Sequence, residues 1–238
     1  MIEVALPGAR AAFTTRDGGV SDGPYRSLNL GILTDDEPER VERNRRRMAD
    51  ALGLGAERIA MGWQVHGTEI AEWSSPPDRG RDGFGHPGAE LRKVDGHATA
   101  VSGLGLLVLA ADCLPVALAA PGRVAMVHCG WRGLAGGIVE RATGSFAEPP
   151  AAAIGPGIGR CCYEVGDEVR AAFADLNGVT SGRMLDLRGV AEAKLRAAGV
   201  APIEHVDLCT SCRGDLFFSH RRDRGVTGRQ AGVAWLDG

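Results

Sequence analysis

The stretch Ala111–Gly133, ADCLPVALAAPGRVAMVHCGWRG, decides how this chain is read. Two apolar runs, PVALAA and RVAMVH, flank a Pro121-Gly122 pair that suits the loop of a tight hairpin. With a two-residue loop, Ala119 faces Val124 and Pro115 faces His128. Strand side chains alternate, so Cys113, two residues before Pro115, shares the face of His128. The two are diagonal neighbours, with Cβ atoms about 7 Å apart. Both then reach a single ion at Zn–S and Zn–N distances of about 2.3 and 2.1 Å. Cys129 points to the opposite face. A bulge or a one-residue slip would reverse these assignments.

Outward from the hairpin, LGLLVLAAD precedes it as a strand, while AAAIGP and the closing AGVAWL read as two more. FTTRDGGVSDGPYRSLNLG begins as a short strand and continues as a turn-rich loop. DDEPERVERNRRRMADALGL predicts a helix, with Pro38 in its first turn and Val41, Met48 and Leu52 on one face. Leu134, Ile138, Ala142 and Phe146 predict one helix after the hairpin. EVGDEVRAAFADL predicts another, with Val165, Val169, Phe173 and Leu176 aligned, and a third spans about Val190 to Ala198. Ser74–Glu90, rich in Gly, Pro and Asp, reads as a long surface loop. Without a regular βαβ rhythm, the expectation is a single α+β domain over residues 1–238, a mixed β-sheet flanked by helices.

Composition narrows the function classes. A net charge of −3 gives no basic footprint for nucleic acid. No apolar run is long enough to span a membrane. Met1 to Arg16 has neither the basic start nor the apolar core of a secretion signal, so a cytoplasmic protein with reduced thiols is expected. Six cysteines in 238 residues are too sparse for a disulfide scaffold. They are core fillers, metal ligands or nucleophiles.

A catalytic zinc site needs a third protein ligand and an open position. His66, in WQVHGTE, is the candidate, following an apolar run and preceding a glycine. His86, His97, His205 and His220 sit in less suitable surroundings. RCCY (Cys161, Cys162) and CTSC (Cys209, Cys212), with His205 upstream, have the spacing of a second, structural zinc site, although packed thiols are the default reading. Cys113 and His128 also fit a metal-free cysteine hydrolase, as nucleophile and base. A zinc-stabilised binding module without turnover is the non-enzymatic alternative.

The motifs FTTRDGGVSDGPYRSLNLG, NRRRMADALGL, QVHGT, ADCLPV, VHCGWRGL, IGPGIGRCCYEVG, LDL, LCT, FFSHRR and TGR occur in this order along nearly the whole chain. In this they resemble the YfiH-type family, also labelled the polyphenol oxidase or laccase-domain family and now the purine nucleoside phosphorylase family. The resemblance implies a single α+β domain and a zinc ion held by His66, Cys113 and His128. It also implies phosphorolysis of adenosine, inosine, guanosine and methylthioadenosine, with adenosine deamination beside it. The chain departs from the family pattern at Cys129, where alanine is common, at His220, where tyrosine is common, and in Cys212, which completes the CTSC pair.

These activities set requirements. Phosphorolysis needs a bound phosphate and a stabilised oxocarbenium-like ribose. Arg16 in TTRDGG and Arg132 in GWRG are the anion-binding candidates, and Asn29 and Asn44 candidates for the ribose or base. Asp112, beside Cys113, is a candidate catalytic carboxylate, with Glu164 as the alternative. The H-x-E and P-C-x-x-C signature of nucleobase deaminases is absent. A multicopper oxidase needs a blue-copper site and a histidine-rich cluster, whereas this chain has six histidines and no His-x-His pair. A His₂Cys set suits zinc and would also take up copper adventitiously.

Overall fold

The computed structural model of the chain describes residues 1–31, 33–78, 84 and 90–238. His86 and most of the expected 74–90 loop lie outside the described residues. The elements run β1 (Ile2–Leu6), β2 (Ala9–Phe13), α1 (Pro38–Leu52), β3 (Ile59–Ala60), β4 (Ile70–Trp73), β5 (Gly96–Thr99) and β6 (Gly105–Ala110). The hairpin β7 (Leu114–Ala120) and β8 (Arg123–Cys129) follows, then α2 (Trp131–Gly136), α3 (Ile138–Thr143), β9 (Ala151–Ile154) and α4 (Asp167–Ala171). The rest is β10 (Thr180–Ser181), β11 (Met184–Leu185), α5 (Leu187–Ala197), β12 (Ile203–His205) and β13 (Gln230–Leu236).

The hairpin pairs Pro115 with His128 and Ala119 with Val124, the register that a two-residue Pro121-Gly122 turn requires. Gly122 supplies the positive φ of that turn, +74°.

The class is α+β, but the strands form two mixed sheets instead of one. One is ordered β1-β2-β13-β6-β3 and the other β12-β9-β7-β8-β5-β4, with β10-β11 a separate two-stranded ribbon. The chain leaves the first sheet at the end of β6 and enters the second at β7. Alternation of side chains reports which face is buried, not which sheet a strand joins, so the two were indistinguishable in the sequence.

Three apolar layers hold the architecture. Between the sheets, Phe13, Leu106, Val108 and Ala234 of the first meet Ala117, Val124, Met126 and Ala153 of the second. Helix α1 covers the outer face of the first sheet through Met48 and Ala49. Leu134, Ile138, Val190 and Leu195 of α2, α3 and α5 cover the outer face of the second. At the sheet–sheet contact, a Cβ on Gly155 would stand 2.4 Å from the Phe13 ring, so only glycine lets that ring lie against the end of β9.

The helices differ from the sequence pattern at their breaks. The helix expected through Leu134 and Phe146 is divided at Gly137, whose φ of +93° ends α2 before α3 begins. The pattern through Val165 and Leu176 yields only the five residues of α4, and Phe173 reaches the core from the turns beyond. Helix α5 starts earlier than expected, because the Asp186 side chain accepts a hydrogen bond from the Gly189 N–H at 2.9 Å and caps it.

Phe13 is wholly buried where the sheets meet. Phe13→Ala is expected to lower stability by about 3–5 kcal/mol, read as a lower denaturant midpoint at unchanged slope.

Candidate metal centre and its cleft

The functional side chains gather where the chain passes from β6 to β7. Asp112 at this bend adopts φ +100°, which breaks strand geometry and turns Cys113 into the space between the ends of the two sheets. His128, near the end of β8, faces it across the hairpin. His66 arrives from the β3–β4 loop in a left-handed conformation, φ +58°. The ligand atoms of His66, Cys113 and His128 all lie within 4.8 Å of one another, and the two imidazole rings meet edge-on with centroids 5.0 Å apart. Gly130 is required here, since a Cβ on it would stand 3.0 Å from the Cys113 sulfur and 3.1 Å from the His66 ring.

Asp95, fully buried just before β5, organises this trio. Its Oδ1 accepts from the His66 N–H at 2.9 Å and faces His128 Nδ1 at 2.9 Å. Its Oδ2 accepts from the N–H groups of Val65 at 3.0 Å and Gly67 at 2.7 Å. Burial works against its charge, yet His128 and these backbone donors hold its pKa below the ordinary carboxylate value. With Nδ1 engaged, His128 presents Nε2 to the cleft, the carboxylate–histidine arrangement typical of metal-binding imidazoles. No signal in the sequence marked Asp95 beyond a lone acid opening an apolar strand.

Electrostatics favour a charged pair. Burial disfavours the Cys113 thiolate, but the His128 charge and hydrogen bonds from His128 and His66 outweigh it and bring the pKa down to about 6. Burial likewise opposes a charged His128 ring, and Cys113 with Asp95 raises its pKa to about 9. Cys129 lies in the core on the opposite face, with its thiol pushed up by burial, and does not join the trio.

The trio opens into a cleft of about 390 Å³. Arg132, Arg221 and Arg229 line it with the aromatic walls Trp63, Trp131 and Tyr163. The Arg132 guanidinium lies over the Trp131 ring at 4.3 Å. Asp112 also lines the cleft, but its oxygens are already engaged: Thr210 Oγ1 donates to Oδ1 at 2.7 Å and the Arg221 N–H to Oδ2 at 2.7 Å. It thereby ties the Thr210 and Arg221 loops to the Cys113 bend. Gln64 bonds both the N–H and the C=O of Leu109 at 2.7 Å, fixing the rim beside β6.

Arg16, Asn29 and Asn44 are not brought to the cleft lining. Arg16 donates to the Arg26 and Gly214 carbonyls and lies over the Phe218 ring, at a separate depression. Asn44 is buried and bonds Val20, Ser21, Ser27 and Asn29. Asn29 is buried too; its amide donates to Thr34 and Asp36, and its oxygen accepts from Gly31 and Arg229. These residues brace the loops around Arg229. Of the other histidines, His97 is buried in β5 against Trp73, His205 lies beside Glu192, and His220 lines the cleft. Glu164 pairs with Arg183 on the surface.

The pair's charge state is testable. In metal-stripped protein, alkylation of the Cys113 peptide by iodoacetamide is expected to rise with pH through about 6 rather than about 9, because the thiolate persists down to its lowered pKa. In Asp95→Asn one carboxylate oxygen becomes an NH₂ facing N–H donors. That variant is expected to bind zinc about 10–100-fold more weakly, measured by competition with a chelating dye.

The profile described as multi-copper polyphenol oxidoreductase laccase matches residues 10–237 of this chain. Purine nucleoside phosphorylase ORF3 of Streptomyces griseus is 41% identical over 96% of this chain and 95% of its own. Purine nucleoside phosphorylase YfiH of Escherichia coli strain K12 is 37% identical over 96% and 94%. The crystal structure of YlmD from Geobacillus stearothermophilus superposes with a TM-score of 0.85 at 36% identity, covering 98% of this chain and 93% of that one. On the extent of these matches, together with the ordered motifs at the bend, the loop and the hairpin, the chain belongs to the multi-copper polyphenol oxidoreductase laccase family, with the YfiH-type purine nucleoside phosphorylases as its relatives.

Proposed function

We propose that this chain is a purine nucleoside phosphorylase, taking adenosine, inosine, guanosine or methylthioadenosine with phosphate, and that its cleft also deaminates adenosine. The observation that carries the reading is the convergence of the His66, Cys113 and His128 trio with three arginines and aromatic walls on one cleft. The names of the relatives support the same chemistry.

Within that reading, Arg132, Arg221 and Arg229 hold the phosphate, whose charge a planar guanidinium matches with paired donors. Arg132 makes no ion pair among the described residues, and its guanidinium lies over the Trp131 ring. Trp63, half open to solvent, and Tyr163 offer flat surfaces to a purine. A phosphate oxygen attacks C1′ of the ribose, the C1′–N9 bond breaks, and the base leaves with the electron pair and takes up a proton. Asp112, in this scheme, positions Cys113 and Arg221 and does not carry that proton. The chain's own residues therefore orient phosphate and nucleoside within the cleft.

The trio fits zinc on its donors: one thiolate, two imidazoles, a carboxylate behind one ring, and a cleft on which all three open. Zinc, when bound there, supplies Lewis acidity toward the substrate. The same set would also accept copper as an adventitious replacement.

A second reading has its own support. The lowered thiol of Cys113 and raised ring of His128 form the thiolate–imidazolium pair of a cysteine hydrolase. One set of assays separates the two. Zinc-loaded protein given adenosine with phosphate is expected to release adenine and ribose 1-phosphate, and His66→Ala to lose this activity by at least about 100-fold. Inosine as sole product, independent of phosphate, would leave only the deaminase half. Full activity in metal-free protein, abolished by alkylating Cys113, would favour the hydrolase.

A further inference from the structure

Four cysteines outside the cleft meet at the surface. Cys161 and Cys162 lie in the tight turn after β9, where the Cys162 and Tyr163 N–H groups donate to the Gly159 carbonyl at 2.9 and 3.1 Å. Cys209 and Cys212 lie in a second turn, closed by the Arg213 N–H on the Cys209 carbonyl at 3.0 Å. A lone parallel bridge between Gly157 and Cys209 holds the two turns side by side. Their four sulfurs all lie within 4.8 Å of one another. The Cys212 sulfur stands 3.5 Å from that of Cys161 and 3.4 Å from that of Cys162.

Two features argue against ordinary packing. Free cysteines are among the most buried residue types, as Cys129 is here, yet Cys161 and Cys212 are exposed and Cys162 and Cys209 only partly covered. The backbone is also arranged for a thiolate: the Gly159 N–H donates to the Cys209 sulfur at 3.1 Å. A Cβ on Gly159 would press on the sulfurs of both Cys161 and Cys209, at 3.2 and 3.3 Å. Glycine is thus what allows the two turns to bring their thiols together.

We propose that Cys161, Cys162, Cys209 and Cys212 form a second metal centre, a closed four-thiolate site for Zn²⁺ that braces one wall of the cleft. A tetrahedral zinc with Zn–S of about 2.3 Å sets its sulfurs about 3.8 Å apart, within the spread seen here. Four soft ligands and no open position define a structural site. Two arginines flank it: Arg188, half-buried, paired with Asp207 and within electrostatic reach of Cys209, and Arg222, paired with Asp223, which donates to the carbonyls of Thr210 and Ser211 between the ligands.

The location gives the site a role. Tyr163 follows Cys162 directly and lines the cleft. Thr210, between Cys209 and Cys212, holds Asp112, which also fixes the Arg221 N–H. A metal joining the two turns would keep Tyr163 and Arg221 in place while leaving the His66, Cys113 and His128 trio untouched. This effect on substrate binding rests on the phosphorylase reading; the metal site does not.

The test is a zinc count on full-length protein expressed and purified under reducing conditions. Wild type is expected to carry about two zinc ions per chain, Cys212→Ser and Cys161→Ser about one each, and His66→Ala about one. In the Cys variants the remaining zinc should stay at the trio, with KM for nucleoside or phosphate raised several-fold and kcat changed less. Wild type itself gives an independent readout: a thiol reagent should release one of the two zinc ions together with the modification of these four thiols. A single zinc in wild type, lost in His66→Ala and kept in the Cys variants, would overturn the proposal. So would a non-reducing mass showing disulfides among the four cysteines in freshly purified protein.

Discussion

One buried carboxylate holds the centre together. Asp95 accepts from three successive backbone N–H groups, those of Val65, His66 and Gly67, and meets the His128 ring on the same oxygen as His66. A non-glycine residue at φ +58°, such as His66, is disfavoured in isolation and persists where its surroundings over-determine it. Here the surroundings are the three bonds to Asp95. The same carboxylate selects which nitrogen of His128 is free. Two members of the trio separated by more than sixty positions, His66 and His128, are therefore fixed by a single group outside it. The backbone reinforces this, since the His128 N–H also donates to the Asp95 carbonyl at 2.7 Å.

The third member of the trio, Cys113, depends on a different constraint, the passage of the chain between sheets. β6 belongs to one sheet and β7 to the other, so residues 111–113 must turn sharply where strands would otherwise continue. Asp112 absorbs the turn with its positive φ and anchors it through Thr210 and the Arg221 N–H. The cleft is the gap this passage leaves at the ends of the two sheets, with Gln64 closing its edge against Leu109. Fold and site are thus one arrangement: the bend at Asp112 lies at the cleft that Cys113 lines with His66 and His128.

What the sequence made legible was local. The hairpin register follows from a two-residue turn and period-two alternation, and it places Cys113 diagonal to His128 with no knowledge of the rest of the chain. Asp95 was not legible, because its partners are mostly backbone N–H groups, which carry no residue identity. Arg16 and Asn29 stood out in a turn-rich loop and Asn44 in the helix α1 beside it, but the residue types that hold a ligand also hold the loop itself. In this chain they brace the 16–30 segment and Arg229. Arg221, Arg229 and Tyr163 went unnoticed because they meet the trio only after β9 and β13 are folded against the hairpin. The division of the helix at Gly137 had a visible cause, the glycine pair at Gly136 and Gly137, but apolar spacing alone runs straight through it.

The chain's thiols and imidazoles also bear on how a family labelled by copper oxidation relates to a site of this kind. The described histidines are dispersed: His66 and His128 at the centre, His97 inside the second sheet, His205 on β12 beside Glu192, and His220 at the cleft wall. A multicopper oxidase passes electrons from a blue-copper site to a histidine-rich cluster, and it needs several imidazoles converging at that second position. Among the described residues only one centre has converging imidazoles, and it has two. The other dense donor set is purely sulfur, which suits a closed, redox-silent zinc rather than oxygen chemistry. Environment separates the cysteines in the same sense. Cys129 is buried in apolar contacts with its thiol pushed up, while Cys113, facing two imidazoles, has its thiol brought down. The imidazoles and thiol of the trio and the three arginines line one and the same cleft.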